Sequence, residues 1–105
     1  MSQKIINKLL EAAQEDTTNP FPHFALAKEY QKVNDLVSAE NHFRHLINNF
    51  PEYGGTYYHF ALFLIEKNQP EEAIEIINAG LPVLQSAGET NLYKELAGLK
   101  HEYFE

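Results

Sequence analysis

Cysteine is absent from the 105 residues, which removes disulfides, thiol nucleophiles and thiolate metal sites at one stroke. Basic residues are scarce: 8 Lys and Arg stand against 15 Asp and Glu, giving a formal net charge of −7, and Arg44 is the sole arginine. A duplex-binding surface needs clustered cations to displace counterions, so nucleic acid is not an expected partner. The acidity itself names no partner, because a negative surface commonly serves solubility. Long apolar runs are missing as well. Within residues 1–16, Lys4 and Lys8 are followed by Glu11, Glu15 and Asp16, so this stretch reads as neither a signal peptide nor a membrane span. The expected location is cytoplasmic, with no membrane partner.

Catalytic patterns are equally thin. Gly54-Gly55 follows no strand and fits a turn, and Ser2, Ser38 and Ser86 lack a nucleophile-elbow context. Glu71, Glu72 and Glu75 open a helix, where carboxylates cap and solubilise. His42 and His45 lie three apart beside Glu40 and Asn41, which sketches a zinc or nickel site without a third well-spaced ligand; the plainer reading is exposed histidines on a helix. His23 reads as a ring filling a packing position, and His59 as packed or hydrogen-bonded. No catalytic residue, metal or cofactor is expected, and an enzyme is the weak hypothesis.

What the chain does have is a period of 34 residues. Laying 20–53 over 54–87 without a gap pairs Ala27 with Ala61, Asn34 with Asn68 and Ala39 with Ala73. Ring or aliphatic positions also coincide at His23/Tyr57, Phe24/Tyr58, Leu26/Phe60, Tyr30/Leu64 and Phe43/Ile77. The identities fall where side-chain size is restricted or where the chain turns. Small residues such as Ala27 and Ala39 let two helices approach, while Tyr30 and Phe43 fill the space around them.

The period reaches backwards too, since Ile5, Leu9 and Ala12 precede Ala39, Phe43 and Leu46 by 34 positions. Residues 2–15 therefore read as an unpaired helix matching the one that carries Ala39, Phe43 and Leu46, broken by Asp16-Thr17-Thr18-Asn19-Pro20. Helices follow at about 21–33 and 35–49, with the turn at Asn34-Asp35 and Asp35 as cap. Phe50-Pro51-Glu52-Tyr53-Gly54-Gly55 turns into a helix over about 55–67, and the next opens at Pro70-Glu71-Glu72. Gly80 and Pro82 predict a kink or early end in that helix, because Pro82 cannot donate to the carbonyl of Asn78. Leu92, Leu96, Leu99 and Tyr103 then mark a last helix over 89–104 with one wet face.

The motifs His23-x-x-Leu26-Ala27-x-x-Tyr30, Ala39-x-x-x-Phe43 and Pro51, then Tyr57-x-x-Phe60-Ala61-x-x-Leu64 and Ala73-x-x-x-Ile77, are similar to the tetratricopeptide repeat. Asn19-Pro20-Phe21 and Gly55-Thr56-Tyr57-Tyr58-His59 extend the likeness to small stand-alone bacterial members, over essentially all 105 residues. Two positions depart: His23 stands where the family often has Trp, and Gln85 where the second repeat would close with Pro. The resemblance implies an all-α antiparallel helix-turn-helix solenoid, one domain over 1–105. It would comprise an N-terminal helix (2–15), repeat 1 (20–53), repeat 2 (54–87) and a capping helix (89–104) whose polar face closes the stack.

It also implies a mode of action, which is to bind a peptide segment of a partner protein on a concave face lined by the first helix of each repeat. Carried over, the groove positions are Phe24, Lys28, Gln31 and Lys32, with Tyr58, Leu62 and Ile65. Aromatic anchors, aliphatic surface and two cations suit a segment with an apolar residue and a nearby negative charge. The competing reading packs Leu62 and Ile65 beneath the last helix and leaves the lysines solvated. Chaperone-binding members use a Lys/Asn carboxylate clamp, and its first-repeat positions hold Phe24 and Lys28 here, so that clamp is absent as a pattern. The alternative role is structural, a weak homodimer formed through end helices carrying Ile5, Ile6 and Leu10, or Tyr103 and Phe104.

Overall fold

A computed structural model describes residues 2–105, in which six helices form two compact units, one ending at Phe50 and the other spanning Pro51–Glu105. No strand occurs among the described residues.

The first unit contains α1 (Ser2–Glu15), α2 (Phe21–Lys32) and α3 (Leu36–Asn49), with α2 packed against both neighbours. Its core is Ile6 from α1, Pro22, Leu26 and Ala27 from α2, and Ala39, Phe43 and Leu46 from α3. The connection after α1 is written in short polar side chains. The Asp16 carboxylate accepts from the Thr18 hydroxyl at 2.6 Å and the Thr18 N–H at 3.0 Å, which holds its pKa below the ordinary Asp value. Asn19 Oδ1 then accepts the Phe21 N–H at 3.0 Å, and the prolines at 20 and 22 occupy a helix start where a missing donor costs nothing.

The turn between α2 and α3 is a Schellman motif. Asn34 takes φ +61°, its N–H donates to the Gln31 carbonyl at 3.0 Å, and the Asp35 N–H donates to the Tyr30 carbonyl at 2.9 Å. Asp35 next caps α3, accepting from the Ser38 N–H at 3.2 Å and the Ser38 hydroxyl at 2.8 Å.

The second unit contains α4 (Gly55–Glu66), α5 (Pro70–Ser86) and α6 (Thr90–Phe104), each packed against the other two. Thr56, Tyr57, Phe60, Ala61, Phe63 and Leu64 of α4 meet Ala73, Ile77, Gly80 and Leu84 of α5 and Leu96 and Leu99 of α6. Asn68 repeats the turn of Asn34 with φ +62°, the Gln69 N–H reaching the Leu64 carbonyl at 2.8 Å. The periodic Asn is thus the residue that tolerates the left-handed conformation, which explains its survival in both copies.

Two expectations are corrected here. The fifth helix does not end near Gly80 and Pro82, for α5 runs through both to Ser86. Pro82 is exposed, so the Asn78 carbonyl it leaves unpaired can face water, while buried Gly80 and Leu84 hold the flanking turns against the core. Ile6 is the other: it is 2% exposed and belongs to the core, leaving Ile5 and Leu10 as the apolar residues that α1 shows to solvent.

Candidate functional site

Helical spacing places the groove residues on one face of each first helix. On α2, Phe24, Lys28 and Gln31 follow at steps of four and three, on the side away from the buried Leu26, with buried Ala27 at the edge of the row. Lys32 extends the row, but its ammonium pairs with Glu29 of the same helix at 3.2 Å, with its side chain largely exposed. An exposed pair of this kind contributes roughly 0.3–0.5 kcal/mol. Gln31 is half-buried, and its Oε1 is a buried acceptor with no hydrogen-bond partner.

On α4 the same steps carry Tyr58, Leu62 and Ile65, all half-buried. Tyr58 meets His59 edge-on, with ring centroids 5.4 Å apart. The opposite side of α4 is filled by Phe60, Phe63 and Leu64 in the core. This helix is consequently apolar nearly all round.

In the first unit a cavity of about 490 Å³ is lined by Leu10, Ala13, Gln14 and Thr17 from α1 and its end, His23 from α2, and His42, His45, Asn49 and Phe50 from α3 and its end. The three histidines gather in it. His23 Nδ1 and His42 Nδ1 stand 3.1 Å apart, and the His45 ring lies over His23 at a centroid distance of 4.1 Å. Tyr30 stacks on His42 with ring planes 13° apart, and Asn49 Nδ2 lies 3.2 Å from His45 Nδ1. His42 and His45 are therefore not the exposed helix histidines that their spacing suggested. His23 does occupy a packing position, as a ring among rings.

Burial, then the charges of His45 and His42, push the His23 pKa down to about 4. Burial and His45 lower that of His42 as well. At neutral pH the 3.1 Å contact is an N–H···N bond between neutral rings, one donating and the other accepting. Spacing along the chain revealed the i, i+3 pair, whereas nothing local tied it to His23, nineteen positions earlier.

In the second unit, cavities of about 190 Å³ (Leu84, Gln85, Gly88, Thr90, Tyr93) and 500 Å³ (Glu52, Pro82, Val83, Ser86, Ala87) are shallow features of the α5 end. None of the seven groove residues lines these three cavities. Among the described residues no group of three His, Cys, Asp or Glu side chains is arranged to hold a metal ion, and no helix is long and apolar enough to cross a membrane.

Two solved structures resemble this chain. The solution NMR structure of a tetratricopeptide repeat domain protein from Salinibacter ruber superposes with a TM-score of 0.78 at 30% identity, covering 83% of this chain and 88% of that one. A crystal structure of a tetratricopeptide repeat domain protein from the same organism gives 0.73 at 32% identity, covering 83% and 99%. No family model matches the chain, and no curated protein matches it.

Proposed function

Because the chain belongs to the tetratricopeptide-repeat family, we propose that it is a non-catalytic, cytoplasmic interaction module that takes a peptide segment of a partner protein on the outward faces of α2 and α4. The observation that carries this reading is the row Tyr58, Leu62 and Ile65, half-exposed on a helix whose other side already fills the core. Tyr58 offers area and a hydroxyl at small entropic cost. On α2, Phe24 and Lys28 supply an aromatic and a cation. The segment that suits these groups carries an apolar anchor beside an acidic residue.

An array of peptides varying in apolar and acidic content, probed with wild type and with the Tyr58→Ala/Lys28→Glu double variant, tests it. Selective retention of acidic, apolar peptides by wild type, lost in a variant of unchanged circular dichroism, is the expected result. Equal retention by both proteins would remove these faces from consideration.

A second reading, self-association, draws on Ile5 and Tyr103, which are 47% and 49% exposed. Sedimentation at rising concentration separates the two readings, since a monomer throughout excludes the second.

A further inference from the structure

The histidine cavity plays no part in that reading, and the second copy of the repeat shows that the fold does not need it. Where the first repeat has His23, His42 and His45, the second has Tyr57, Ile76 and Ala79. Three rings able to gain a proton have thus been gathered at positions where the second copy of the same scaffold carries no imidazole. We propose that this cluster is an acid-sensitive joint, which frees α1 from the first unit when its imidazoles take up protons.

The geometry supplies the reason. The 3.1 Å approach of His23 Nδ1 to His42 Nδ1 leaves room for one hydrogen, so both nitrogens cannot be protonated in place. The centroids of His45 and His42 lie 4.1 Å and 5.3 Å from that of His23, so a second or third imidazolium would meet a like charge at close range.

The groups facing the cluster offer no compensation. The wall that α1 contributes is Leu10, Ala13, Gln14 and Thr17, none of which titrates; α3 adds Asn49 and Phe50, and Tyr30 of α2 stacks on His42. Lys8, Glu11 and Glu15 of α1 are exposed. Glu40 is held by Arg44 at 2.6 Å, and Asp16 by Thr18. His23 also sits in the first turn of α2, where the helix dipole disfavours a cation. The end of α1 acts the other way, but a terminal half-charge is smaller than repulsion between whole charges at these separations.

α1 is the element that yields. It fully buries one residue, Ile6, against three each in α2 and α3, and its packing partner is α2. Opening the cavity side admits water to the rings and uncovers Ile6.

The sign follows from linkage. A histidine whose folded pKa is depressed binds fewer protons when folded, so stability is complete above about 6.5 and is lost as pH falls towards 4 for His23. One such ring changes an opening constant by up to about tenfold per pH unit in that window, and partial exposure reduces this.

Hydrogen exchange of the full chain at about pH 7.5 and pH 5, corrected for intrinsic rates, reads the effect helix by helix. The expected result is about a tenfold rise in the α1 opening constant at pH 5 with α6 unchanged, and loss of that rise in His23→Tyr and His42→Ile, the residues of the second copy. A pH-independent α1, an equal rise in α1 and α6, or a rise that persists in both variants would each overturn the proposal. Should the variants not fold, the titration of the His23 ring by NMR in wild type decides, because an ordinary histidine midpoint there also overturns it.

Discussion

Gly80 presses on Tyr57: a Cβ built at position 80 would stand 2.5 Å from Tyr57 Cγ and 2.7 Å from Tyr57 Cβ, with Leu96 Cδ2 at 2.8 Å behind. The first two atoms are the root of a side chain that cannot swing aside. Alanine in a helix gains about 1 kcal/mol over glycine, and overpacking costs roughly 1–3 kcal/mol or more. The clash is severe enough for the second term to win. Gly80→Ala should lower stability by about 2 kcal/mol in urea titration, against the usual benefit of removing a helical glycine.

Tyr57 is 3% exposed, yet its hydroxyl donates to the Pro51 carbonyl, tying the start of the second unit to α4. Tyr57→Phe keeps the ring and removes the donor, leaving that carbonyl to find water. A loss of about 1 kcal/mol is expected. Amide exchange over residues 51–55 should rise more than that of α6.

Asn34 and Asn68 both adopt the left-handed conformation. Replacement by Ala at either place should cost about 1 kcal/mol, whereas Gly, which visits that region freely, should hold stability within about 0.5 kcal/mol of wild type. Thermal unfolding of the four single variants checks this. Equal losses for Ala and Gly would mean that the Asn side chain matters more than its backbone angle.

Phe43 of α3 is wholly buried at the centre of the first unit. Truncation to Ala removes a large ring and leaves a cavity, for which about 3–5 kcal/mol is typical. A domain of this size has little more than that in reserve. Phe43→Ala should therefore lose most of its helical circular dichroism signal near room temperature, while Phe43→Leu should keep it.

The sequence revealed what is local and periodic. Asp35 as a cap, Asn34 and Asn68 as turns, and Pro70 as a helix opener each depend on a few neighbouring residues and were legible as such. The period then fixed which helix follows which. Long-range packing was not legible. Gly80 and Pro82 look like helix breakers in isolation, and only the closeness of Tyr57 and Leu96 shows why a glycine belongs there within a continuous α5. Ile6 and Ile5 are indistinguishable by type, and the helix phase relative to α2 decides which is buried. The histidine cluster was half visible, because His42 and His45 share a helix while His23 arrives from another. The groove residues on α2 and α4 were placed by helical step alone.

The three-residue connections after α2, α4 and α5, and the pairing of consecutive helices within each unit, bear on speed as well as on structure. Closing loops this short forfeits little chain entropy, and each hairpin can form before distant residues meet. Chains dominated by local contacts fold in microseconds to milliseconds. Once its residues are free to meet, each such hairpin would thus form in a time short against the addition of one residue by the ribosome, since synthesis proceeds at about 5–20 residues per second.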